Sequence, residues 1–180
     1  MTDTYDEPKH LEEMYAHFGR ASYMANVVET ELVQALLQID FLTGVRDEYV
    51  RTQGKNFDQK KYDANYEAFM KEHFEQTMGT LLRRLKTKME FDAALNNRMV
   101  EAKERRDFLV HNYLREMAVP ASQRQGRTKM IEELKADADR FEQLAKDIRA
   151  AMKPTRERLG ISDEVLDARA EEEMAKLKGS

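Results

Sequence analysis

The chain contains no cysteine. That removes disulfide frameworks, thiolate metal sites and cysteine nucleophiles, and with them any support in the sequence for an oxidising compartment. Proline and glycine are also scarce, at 3 and 7 of 180 residues. No run of roughly 18 apolar residues occurs, so no segment is a candidate membrane span. The acidic start, Met1-Thr2-Asp3-Thr4-Tyr5-Asp6-Glu7-Pro8, lacks the apolar stretch of a secretory signal. A cytoplasmic protein with no membrane partner is the expectation. The net charge of −4 argues against wholesale coating of nucleic acid, because sequence-independent affinity needs Lys and Arg to neutralise phosphates. Gly-rich phosphate loops, nucleophilic serine motifs and Cys/His metal clusters are absent as well, so neither a cofactor nor a metal is expected.

What remains is dominated by Ala, Glu, Lys, Leu, Gln, Arg and Met, all strong helix formers. The length suits one ordinary domain. The composition predicts an all-α protein, and apolar periodicity divides it into four main helices. The first carries Leu11, Met14, Phe18, Ala21, Ala25, Val28, Leu32, Ala35, Ile39 and Leu42 and is expected to stop at Thr43-Gly44. A polar insertion spans 45–63. The second helix runs from Ala64 to Met89, with Gly79 inside it marking a close helix contact. The third runs from Phe91 to Ala118, before Pro120, and the fourth from Gln123 to Met152, with Pro154 as its stop. Short links predict antiparallel neighbours and an up-and-down four-helix bundle over 1–153. A C-terminal tail helix is expected within 154–180, capped by Ser162.

The third helix holds an anomaly. Leu95, Met99, Ala102, Leu109, Tyr113 and Met117 keep within about 40° of one line, and Arg106 falls in that core-facing row. A buried unpaired charge costs several kcal/mol, so Arg106 must pair or reach a polar cleft; Glu29, Glu31 and Glu90 are the available partners. His111 stands five positions on, about 140° around the helix. One pocket in one side of a lone helix cannot hold both groups. Asp107 is four residues before His111, a spacing that lets the carboxylate fix the imidazole tautomer and stabilise its protonated form. The strip left for solvent is Glu101, Arg105, Asn112, Arg115 and Glu116. A bland reading stands beside the chemical one: Arg106 as an internal bridge and His111 as a partly buried polar residue.

The segment Arg106-Asp107-Phe108-Leu109-Val110-His111-Asn112-Tyr113 resembles the R-x4-6-H signature of the HEPN superfamily. Its fuller R-x4-H-x-Y form, matched by Arg106, His111 and Tyr113, resembles HEPN toxins paired with minimal nucleotidyltransferase antitoxins. Met78-Gly79-Thr80-Leu81-Leu82 is similar to the Gly-Leu-rich helix that commonly precedes the motif. The strict likeness covers about eight residues, and the architectural one about residues 10 to 150. The resemblance implies a HEPN-like bundle and a metal-independent endoribonuclease whose site is built from two motif copies in a homodimer, in a toxin-antitoxin, phage-defence or RNA-processing setting. It implies His111 as proton acceptor and donor for attack by the RNA 2′-hydroxyl, near whose working pH imidazole titrates. Arg106 would neutralise the phosphorus-centred charge, Asp107 would orient His111, Asn112 would bond phosphate or sugar, and Tyr113 would line the cleft. It also makes a nucleotidyltransferase-type antitoxin the implied partner and Tyr113 the residue it would adenylylate. Arg115, Arg124, Arg127 and Lys129, balanced only by Glu116, form the expected RNA-binding patch. The alternative is a non-catalytic HEPN-like module that binds nucleotide or RNA, or scaffolds a partner.

Other constellations are weaker. Glu7-x-x-His10 straddles Pro8 and has no second copy, and His10 and His17 lie about 10 Å apart along the helix, too far for one metal. His73 is expected to be solvated or at a boundary. Tyr49, Arg51, Lys55, Phe57, Lys60, Lys61, Tyr62 and Tyr66 interleave bases with aromatics, a pattern that suits single-stranded RNA but is more often an ordinary solvated loop.

Overall fold

A computed structural model describes residues 6–55, 57–162 and 164–165. Among them every regular element is helical. The order is α1 (Glu7–Leu36), a π-helical turn (Leu37–Leu42), α2 (Thr43–Thr52), α3 (Gln59–Phe74), α4 (Met78–Lys88), α5 (Ala93–His111), α6 (Tyr113–Glu116), α7 (Ala118–Ala121), α8 (Arg124–Ala151) and α9 (Lys153–Arg158). No helix among the described residues is long and apolar enough to cross a membrane.

Local chemistry explains four of the starts. Asp6 accepts the Lys9 N–H at 3.1 Å, Asp58 that of Lys61 at 3.2 Å, Thr77 that of Thr80 at 3.3 Å and Asp92 that of Leu95 at 2.8 Å, each satisfying an amide that the first helical turn leaves unpaired. Gly44, the expected terminator, lies inside a helix instead. The first helix widens into its π-turn, where the Thr43 hydroxyl donates to the Gln38 carbonyl five residues back at 2.8 Å, and continues to Thr52. The stop comes at Gln53 and Gly54, both at positive φ. The insertion 45–63 is therefore mostly helical. α8 stops at Ala151, just short of Pro154 as expected; Pro154 then opens α9, and Pro120 sits inside α7, since proline's fixed φ suits a first helical turn.

The largest correction concerns direction. The single second helix expected over 64–89 is two, divided at Thr77, and the chain reverses there; Arg84 of α4 reaches back to Glu72 of α3 at 2.7 Å. α1, α3, α4, α5 and α8 thus alternate in direction, and α1 and α8 run parallel. The ion pairs Glu7–Arg127, Glu13–Lys135, Arg20–Asp139 and Glu31–Arg149 climb both helices together. By contrast Arg98–Asp147 and Arg105–Glu133 show α5 antiparallel to α8.

The core lies along the α1–α8 seam. Ala21, Ala25, Val28 and Leu32 of α1 face Leu134, Ala138, Phe141, Ala145 and Ile148 of α8, with Leu81 and Leu85 of α4 and Met99 and Leu109 of α5 completing the cluster. Small residues at the α1 contact permit a short interaxial distance. Ser162 accepts the Val165 N–H at 3.4 Å, the geometry of the expected N-cap, while the expected tail helix lies otherwise outside the described residues.

Candidate functional site

α5 begins at the Asp92 cap and ends at His111, because Asn112 leaves helical geometry at φ −129° and ψ −31°. The motif therefore straddles a helix end, which the continuous third helix expected to Ala118 does not contain. Asn112 Oδ1 accepts from Arg115 at 2.6 Å, tying the break to the first turn of α6. Arg115 itself is well exposed.

Arg106 points to α1. Its guanidinium lies 3.2 Å from Glu29 and 3.3 Å from Asp107, so of the three partners expected Glu29 is the one used. The Nε–H of Arg106 is buried and unpartnered. Asp107 turns toward Lys103 at 2.9 Å as well as Arg106 and makes no bond to His111; the expected Asp107–His111 pair is replaced by one with two cations. Partial burial pushes the Asp107 carboxyl up, but hydrogen bonds from Lys103 and Arg106 outweigh it and hold it below the ordinary range. The His111 side chain is exposed, with no hydrogen bond or ion pair among the described residues.

Tyr113 does not line a cleft. It is 0 % exposed, stacked on Phe18 with centroids 5.8 Å apart and edge-on to Phe108 at 5.9 Å. Its hydroxyl is buried without a partner, and burial pushes its pKa up. An enzyme that modifies this oxygen could not reach it in this fold.

The basic patch divides. Arg124 and Lys129 line one open cleft with Gln125, Thr128 and Glu132, about 490 Å³ in volume, at the end of the bundle where α5 finishes. Arg127, expected beside them, is buried; it donates to the Ala121 carbonyl at 2.6 Å and pairs with Glu7 at 3.0 Å. It anchors α7 and α1 to α8. Glu7 is thereby engaged in an ion pair.

Sequence reasoning missed Arg105. Assigned to the solvent strip, it is partly buried and donates to Asp137 at 2.8 and 2.6 Å and to Glu133. Asp137 is wholly buried and also accepts from Arg140. The Arg105 guanidinium lies over the Phe108 ring at 5.1 Å and the Tyr113 ring at 5.6 Å, a cation–π arrangement. Burial pulls the Arg105 guanidinium down, but the bonds to Asp137 and Glu133 outweigh it and hold it above its ordinary value. The available signal was Asp137, one residue before Ala138 on the apolar face of α8.

His73 corrects another expectation. It is 1 % exposed, its Nδ1 is 2.8 Å from the Phe69 carbonyl and its ring stacks on Phe69 at 3.8 Å. No protein-family model matches the chain, and no curated protein or solved structure is significantly similar to it.

Proposed function

We propose that the chain is a HEPN-type, metal-independent endoribonuclease acting as a homodimer, with a site composed from the α5 ends of two copies. The observation that carries this reading is His111: it closes α5, faces solvent and has no bonding partner among the described residues. A structural histidine at a helix end would be expected to cap or pair. Val100, Asp107 and His111 lie within about 20° of one line on α5. Val100, and beyond it Val110, Leu114 and Val119, are exposed apolar side chains of the kind a second subunit covers.

Arg106 and His111 project from different sides of α5, so a composite site is the arrangement that unites them on one RNA phosphate. His111 takes the proton from the 2′-hydroxyl as that oxygen attacks phosphorus, and the bond to the 5′ oxygen breaks with protonation of the leaving group. Arg106 balances the charge gathered on the phosphoryl oxygens. Arg115, Arg124 and Lys129 hold the flanking backbone. The reaction class leaves a 2′,3′-cyclic phosphate.

A second reading rests on one distance. The Arg106 guanidinium is already engaged by Glu29 at 3.2 Å, as expected of a structural bridge in a non-catalytic scaffold. The test is cleavage of a mixed RNA pool in the presence of a chelator by wild type, Arg106→Ala and His111→Ala, with sedimentation to confirm that each remains folded and associated. Loss of about 10²-fold or more in both variants supports the enzyme. Cleavage unchanged in both, or absent from wild type, supports the scaffold.

A further inference from the structure

The end of the bundle remote from His111 carries a cleft of about 370 Å³. It lies about 35 Å away, taking Phe18 beside Tyr113 as one end and Leu42 as the other at 1.5 Å per residue. Leu42, Val45, Arg46 and Tyr49 line it from one face of the π-turn and α2, at positions i, i+3, i+4 and i+7. Phe57 and Tyr62 form a second wall, Leu159 and Ile161 a third.

Two left-handed turns shape these walls. At Gly54, φ is +71°, and a Cβ there would stand 2.9 Å from the Tyr49 ring, so the turn both reverses the chain and seats that ring on bare backbone. Gly160, at φ +73°, closes α9, and the Ile161 N–H returns to the Arg156 carbonyl at 3.0 Å, directing Leu159 and Ile161 to the cleft. Tyr49 meets Phe57 edge-on at 6.1 Å, and Phe57 meets Tyr62 at 5.9 Å. The three rings contact one another in series, yet Tyr49 stays 54 % and Phe57 48 % exposed. Large aromatic faces that lean on one another and stay open to solvent are stacking platforms.

Among the described residues, the cleft's one cationic lining residue is Arg46. Its recorded ion pair is with adjacent Asp47 at 3.6 Å, too long for a hydrogen bond. Arg46 and Tyr49 are three apart on α2, so anion site and stacking surface are offset by about one helical turn. A ligand with a carboxylate directly on its ring does not span that offset; a base joined to phosphate through ribose does.

From the aromatic corner, the two glycine turns and the offset arginine, we infer that this cleft binds a nucleoside 5′-monophosphate, base against Tyr49 and Phe57 and phosphate on Arg46. The site is separate from the α5 end and stands whether or not the chain cleaves RNA.

Amide NMR titration of the full chain tests this with AMP, adenosine and ribose 5-phosphate as probes. AMP should shift α2 and residues 159–161 saturably, more tightly than either fragment. Arg46→Ala should weaken AMP about tenfold, the loss of one charge-assisted contact, and leave adenosine unchanged. Tyr49→Ala should weaken both, Tyr49→Phe should restore stacking, and His111→Ala should bind AMP as wild type does. No saturable AMP shift, equal binding of ribose 5-phosphate and AMP, AMP binding lost in His111→Ala, or single-stranded RNA perturbing the cleft while AMP does not would each overturn the inference.

Discussion

Arg106 of α5 and Glu29 of α1 meet at 3.2 Å across a seam that leaves each about one fifth exposed. The pair gives the two functional readings opposite consequences. As a structural bridge it should show a coupling on the order of 1 kcal/mol in a double-mutant cycle of Arg106→Ala and Glu29→Ala, read from denaturant unfolding. As a site arginine held in reserve, it should be released by Glu29→Gln, tightening RNA binding at low salt while the fold stays intact. Equal RNA affinity in wild type and Glu29→Gln would argue against a guanidinium that moves to substrate.

Tyr113→Phe tests the burial of the motif tyrosine. The hydroxyl is buried and unpartnered, so its removal should be neutral or should stabilise the fold by up to about 1 kcal/mol, since an unpaired buried hydroxyl carries a desolvation cost. A thermal melt checks this. Destabilisation by 2 kcal/mol or more, about the cost of breaking a satisfied buried network, would mean that the hydroxyl has a partner.

Gly126 is the tightest backbone approach among the described glycines. A Cβ there would stand 2.0 Å from the Pro120 carbonyl oxygen, and backbone cannot yield as a flexible side chain would. Gly126→Ala should therefore destabilise by about 2–4 kcal/mol through overpacking, despite alanine's better helix propensity. A melting temperature equal to or above that of wild type would show that α7 is not seated as described.

Asp147 governs part of the acid limb. The Arg98 guanidinium, 2.6 Å away, holds its carboxyl below the ordinary value, and Gln143 adds to this. The folded pKa is lower than the unfolded one, so the stabilisation is complete above about pH 4 and is lost as pH falls through the folded value. Asp147→Asn should flatten the pH dependence of unfolding free energy below about pH 4 and leave its shape unchanged near neutrality. An unaltered acid limb would contradict the assignment.

Core membership was legible where periodicity was strong. Ile131, Leu134, Ala138, Phe141, Ala145, Ile148 and Met152 are all buried, and so are Leu95, Met99, Ala102, Leu109 and Tyr113, because helical spacing and apolar burial point to the same face. Polarity of the bundle was not legible. Phe74 and Met78 keep the i, i+4 rhythm across the break, which hides the reversal; the only local mark is Thr77 as a cap, and missing it inverts every later helix relative to α1. Gly44 misled because a π-turn absorbs the extra residue and lets the helix run on. At the site, Arg106 in a core row was readable as a paired charge. The Arg105–Asp137 contact was not, since it joins residues whose proximity depends on how α5 lies on α8.

The absence of cysteine permits the most direct test of the composite site. Glu116→Cys places a single spin label on an exposed position of α6, just past His111 and off the apolar face assigned to the second subunit, in an otherwise thiol-free chain. Facing helices pack 8–10 Å apart, so two α5 ends that share one site should give an interspin distance on the order of 20 Å by dipolar electron resonance. A chain that sediments as a monomer with no dipolar signal, or an interspin distance on the order of 40 Å, as long as α8 itself, would contradict a site built from two copies.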